Sequence, residues 1–205
     1  MPKPALLEEG RAYTFRSYFE MQRETDEILA EFGIGFKIQN LALPTAEVDP
    51  EIAQQLRTQL QKRLERVLLS SEIARREALV SPILFEITEL SDSQLRIEYA
   101  LDVSEKLRGK LDYLVKGKSN FLVIEAKNDD TTRGFTQLAV ELLALSIKED
   151  NQKLLYGAVT TGRSWLFGCF DSEQQMVTQD TSIYAVPNAL QELMAILLGI
   201  IQHDS

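Results

Sequence analysis

The sequence is poor in the residue types on which much enzyme chemistry relies. Its 205 residues include one cysteine, one histidine and one tryptophan. A lone Cys169 excludes an intrachain disulfide and a cysteine-cluster metal site. The sole histidine, His203, lies in the polar C-terminal tail. Ser164 and Cys169 have no histidine near them in sequence, so a nucleophilic triad is unsupported. No GxxxxGK[ST] phosphate loop is present, which argues against a nucleotide-driven motor in this chain. Long apolar runs are also missing. The longest, Leu193 to Ile201 with one glycine, is too short to span a bilayer. The opening residues, MPKPALLEEG, lack the apolar core of a signal peptide. Together these features lead us to expect a cytoplasmic protein. Positive charge is scarce as well: 22 Lys and Arg against 31 Asp and Glu give a net charge of −9. That weakens any grip on duplex DNA by the overall field, because phosphate neutralisation supplies most non-specific affinity.

What is present fits a globular chain, with 44% hydrophobic and 26% charged residues. The length suits one large domain with an extension. We expect residues 1–50 to form a helical extension packed on a core spanning 51–205. Helical spacing runs through 12–32, and Gly33 and Gly35 stop it. A short extended segment over 34–43 and a turn over 44–50 follow. The stripe Ile52, Leu56, Leu60, Leu64, Val67, Leu68 predicts a long helix from Pro50 to about residue 79, ended by Pro82. Alternation in ILFEITE and LRIEYAL predicts strands at 83–89 and 94–102. A hairpin joins 111–116 to 120–126 around Gly117-Lys118-Ser119-Asn120. Then come a helix over 132–148, strands at 154–160 and 164–170 around Thr161-Gly162, and a helix over 187–202. This order specifies an α/β chain of α+β type, a mixed central sheet flanked by helices.

The densest chemistry lies in RGKLDYLVKGKSNFLVIEAK, residues 108–127. Glu125 and Lys127 are two apart on a strand, so both point to one face together with Val123, while Ala126 faces the other side with Ile124. The hairpin brings Asp112 beside that strand end. Carboxylate oxygens from Asp112 and Glu125, with the Ala126 carbonyl, suit a hard cation such as magnesium. Such an ion acidifies bound water, and Lys127 would stabilise charge on a phosphoryl transition state. The surroundings are locally basic: Arg108, Lys110, Lys116, Lys118, Lys127 and Arg133 face Asp112, Glu125, Asp129 and Asp130. Taken alone, an ExK triplet is more often a plain ion pair at a strand end.

With GKLDYLV and LVIEAK at this spacing, the chain resembles the PD-(D/E)xK nuclease superfamily, whose restriction-endonuclease-like core has the order αβββαβ. SEIARREALVSPIL (71–84) and YGAVTTGRSWLFGCF (156–170) are similar to segments of the nuclease module of type I restriction enzyme motor subunits. The resemblance covers roughly residues 60–170. It implies Asp112 and Glu125 as metal ligands, Lys127 as catalytic lysine and Glu72 as a helix-borne carboxylate completing the metal shell. It also implies a site role for Gln137, magnesium or manganese as cofactor, and DNA as substrate. That branch often carries an aromatic residue four positions after the glutamine. Here the position is Glu141, which departs from the pattern.

Alternatives stand beside these roles. Glu72 could pair with Arg75, Arg76 or Lys127, and Glu77 is a rival carboxylate. Gln137 could be a solvated helix residue. For Arg75, Arg76, Lys110 and Arg133, surface solvation is the simpler reading than phosphate contact, and Trp165 reads as a packing residue. A second functional class is a catalytically silent module of the same fold, binding nucleic acid or protein, or forming a homodimer. The strongly apolar C-terminal helix motivates it, since it exceeds what one core-facing stripe needs.

Overall fold

The computed structural model describes residues 6–8, 10–118, 120–149 and 152–203. Seven strands form one mixed sheet in the order β1-β7-β6-β5-β4-β3-β2. They are β1 (Gly35–Ile38), β2 (Gln94–Ser104), β3 (Leu107–Lys116), β4 (Phe121–Ala126), β5 (Leu154–Thr160), β6 (Ser164–Asp171) and β7 (Met176–Ala185). The pairs β1–β7 and β4–β5 are parallel, and the other neighbours are antiparallel. Strand alternation gives the sheet two apolar faces, each covered by helices. One face, with Tyr113, Leu122, Ile124 and Phe167, packs under α3 (Pro50–Leu64), α5 (Ser81–Ser91) and α7 (Leu190–Gln202). The other, with Leu111, Val123, Leu155 and Phe170, packs under α1 (Phe15–Glu20), α2 (Thr25–Ala30) and α6 (Thr131–Lys148). The segment from residue 72 to β5 follows the order αβββαβ.

Several expected elements differ. The helix over 12–32 is two short helices, bent at Met21, whose backbone is extended. The bend lets the buried pairs Phe15/Tyr18 and Ile28/Leu29 both reach the core. The helix expected over 50–79 stops at Leu64, and Leu68 is 88% exposed. Ser71 then starts a new helix by accepting a hydrogen bond from the Ala74 N–H at 3.1 Å. The strand expected over 83–89 is helix α5. ILFEITE alternates on paper, yet Ile83, Leu84 and Ile87 are buried while Phe85 is exposed, which is helical spacing.

Pro82 therefore opens a helical stretch, in its first turn. Upstream, α4 (Glu72–Arg75) runs into a π-helical turn over Arg76–Val80, where the Ser81 N–H donates to the Arg76 carbonyl. The wider turn accommodates a proline that would otherwise disrupt the ladder. Strand β7 is not among the expected elements, because the centre of MVTQDTSIYA, TQDTS, is polar; sheet pairing on both sides defines it. The expected hairpin turn includes Ser119, which lies outside the described residues. Within it the Gly117 N–H donates to the Asn120 carbonyl. The apolar surplus of α7 is covered within the chain. Nine of its residues are buried, and Gly199 lets the Pro44–Thr45 backbone approach so closely that a Cβ there would lie 2.4 Å from the Pro44 oxygen.

Candidate active site

The β3–β4 hairpin sets the site. Tyr113 pairs with Ile124, which brings Asp112 alongside the end of β4. The Ala126 N–H donates to Asp112 Oδ2 at 2.9 Å. Glu125 is buried, and its Oε1 accepts from Lys127 Nζ at 2.5 Å and from Gln137 Nε2 at 2.7 Å. Gln137 lies on α6, which approaches this strand end closely because Gly134 has no side chain. A Cβ there would meet Lys127 Cγ and Val159 Cγ1 at 2.9 Å. Gln137 Nε2 also donates to Glu141 Oε1 at 2.8 Å, one helical turn on. Gln137 is thus buried between two carboxylates and is no solvated helix residue.

Glu72, Asp112, Glu125, Lys127 and Gln137 all line one cleft of about 410 Å³. The helix α1 walls it with Phe15, Arg16 and Phe19, and Lys127 Nζ stands 4.5 Å from the Phe19 ring centroid. Among the described residues Glu72 forms no ion pair with Arg75 or Arg76. Arg75 turns to Asp129 at 3.6 Å. Arg76 reaches into the site, donating from Nη1 to Asp112 Oδ1 at 3.1 Å and to Glu98 Oε1 at 2.7 Å. With its side chain only 13% exposed, Arg76 is no solvated surface residue. Glu77 is exposed, whereas Trp165 is buried in the core as expected.

Three residues of this network were outside the expected set: Arg76, Glu98 and Glu141. Glu141 had a visible signal, four residues after Gln137 on one helix face. Arg76 is four after Glu72, but its contacts to two strands, made from the start of the π-helical turn, join residues far apart in sequence. Glu98 has no sequence signal; it faces the cleft from an edge strand.

Burial raises the Glu125 carboxyl above the ordinary range, the Asp112 charge adds to this, and Lys127 opposes both. Glu141, fully enclosed, is raised well above its usual value, first by burial and then by Glu125. Burial works against the Lys127 charge, yet Glu125 outweighs it and the ammonium stays favoured. Asp112 is raised by burial, against the pull of Arg76 and the Ala126 N–H. Arg76, shared by Asp112 and Glu98, and Lys127 beside Glu125 are the cations of this network, and Glu141 has none of its own.

Among the described residues, no group of three or more His, Cys, Asp or Glu side chains is arranged as a metal cage. Individual donors nonetheless suit a hard cation. The donor set is carboxylate oxygen, and Glu125 Oε2 and Glu141 Oε2 are buried without a hydrogen-bond partner. No helix among the described residues is long and apolar enough to cross a membrane. No protein-family model and no curated protein matches the chain.

Proposed function

We propose that the chain is a cytoplasmic, divalent-metal-dependent nuclease of the PD-(D/E)xK type, hydrolysing DNA phosphodiester bonds. The observation that carries this reading is the convergence of Asp112, Glu125, Lys127 and Gln137 in one cleft, with Glu125 Oε2 buried and unpartnered. Asp112 and Glu125 would hold magnesium or manganese, with the Ala126 carbonyl and Glu72 as further oxygen donors. When bound, the ion would supply an acidified water and screen the phosphate. Lys127 stays protonated beside Glu125 and would stabilise negative charge on the phosphate. Gln137 fixes the Glu125 carboxylate through Oε1, while Oε2 is buried without a hydrogen-bond partner. Arg16 and Lys110, both on the cleft wall, would meet a strand's phosphates by giving up their ion pairs with Glu20 and Glu98.

The test is cleavage of plasmid and single-stranded DNA with magnesium or manganese, comparing the wild type with Asp112→Ala and Lys127→Ala. Equal cleavage by all three rejects the assignment. One observation favours a second reading, a silent binding module of the same fold: Arg76 and the Ala126 N–H engage both oxygens of Asp112. In that case DNA is bound without metal-dependent cleavage.

A further inference from the structure

Arg76 stands between two carboxylates on neighbouring strands. Pairing of Ile97 with Tyr113 and of Tyr99 with Leu111 sets Glu98 on β2 opposite Asp112 on β3. Like charges facing each other across a sheet repel. The ladder omits this one pair, and Glu98 adopts φ +53°, a left-handed conformation costly for a side chain of its kind. Its carboxylate lines the cleft as a result. One guanidinium nitrogen, Arg76 Nη1, serves both acids, with the shorter bond to Glu98. The fork is held in place by the Tyr113 hydroxyl, 3.3 Å from Nε, and by the Tyr113 ring, 4.9 Å from the guanidinium carbon.

We infer that Arg76 is a resident counter-ion of Asp112, shared with Glu98, and that this pair sets how strongly the cleft takes a divalent cation. The inference rests on the metal-site reading above. Arg76 opposes a second positive charge at Asp112 and takes one of its lone pairs. Glu98 draws the guanidinium toward itself and so relieves Asp112. Both act through Asp112 and are positioning residues. Their effects on cation affinity must then have opposite signs. A plain structural strut predicts the reverse, since losing either partner would loosen the site and weaken affinity together.

Calorimetric titration of the full chain with manganese chloride separates the two. Wild type is compared with Arg76→Gln, Arg76→Lys and Glu98→Gln, each checked for folding by circular dichroism. Removing one unit charge beside the ion tightens binding in Arg76→Gln on the order of tenfold. Glu98→Gln weakens it several-fold, and Arg76→Lys, which keeps the charge, stays near the wild type. The Glu98 side chain is 45% exposed, so its replacement tests the idea even where Arg76→Gln fails to fold. The gain in Arg76→Gln disappears when Asp112→Asn is added. A silent wild type beside a binding Arg76→Gln supports the inference. Weaker or unchanged binding in Arg76→Gln, an unchanged or tighter Glu98→Gln, or no binding in either wild type or Arg76→Gln overturns it. DNA cleavage by the wild type, lost in Asp112→Ala and Lys127→Ala, judges the nuclease reading separately.

Discussion

Replacing Glu141 by glutamine should make the protein more stable, and increasingly so as pH rises. Glu141 is fully buried, and its hydrogen bond comes from Gln137, a neutral amide that already serves Glu125. Lys127 balances Glu125, so Glu141 has no cation of its own. Its carboxyl is raised well above the ordinary value by burial and then by Glu125. The folded state therefore binds more protons than the unfolded chain above the ordinary carboxyl range. Stability from this group is present at low pH and is lost as pH climbs toward the raised folded value. Each pH unit over which the folded carboxyl keeps its proton while the unfolded one has lost it removes on the order of 1 kcal/mol. Glu141→Gln abolishes that slope while keeping an acceptor for Gln137. The new amide N–H meets a neighbourhood where Gln137 Oε1 is buried and lacks a partner. Urea denaturation with EDTA at pH 5, 6, 7 and 8 measures the difference between variant and wild type. That difference should grow steadily as pH rises above 5. A difference independent of pH would refute the reasoning, because Glu141 would then be ionised in the folded protein at every pH tested.

Other outcomes follow from single contacts. Ser71→Ala removes the cap of the helix carrying Glu72 and Arg76 and should cost about 1 kcal/mol by urea denaturation. Gly168→Ala places a Cβ 2.5 Å from Phe135 Cζ and 2.9 Å from the Thr178 carbonyl oxygen, so it should destabilise by about 1–3 kcal/mol. Phe19→Ala removes the ring beside Lys127 and opens the α1 wall. It should lower DNA affinity or cleavage while shifting the melting temperature less than Gly168→Ala does.

The sheet's centre and the β3–β4 hairpin are readable because they depend on local alternation. In FLVIEAK the parity of Val123, Glu125 and Lys127 follows from the pleat alone, and Val123 and Ile124 do lie in opposite cores. Segment 83–89 was misread because a short apolar run satisfies both periods. Only the helices and sheet around it decide which of Ile83, Leu84, Phe85 and Ile87 face inward. Strand β7 is unreadable for a different reason: five consecutive polar residues, TQDTS, interrupt its apolar ends, and its extended form comes from ladder bonds to β6 and β1.

The sequence by itself determined that Asp112, Glu125 and Lys127 would meet, since a hairpin and two-residue alternation are short-range geometry. It also determined that neither a disulfide nor a cysteine cluster could form within the chain. Tertiary structure decided how those charges are balanced. Arg76 comes 36 residues before Asp112 in the chain and reaches it from the π-helical turn. Glu98 faces the cleft through a left-handed backbone, and Glu141 is sealed in because α6 closes over the sheet at Gly134. Charge balance in a buried site depends on distances between separate elements and on excluded water, and residue order along one element specifies neither.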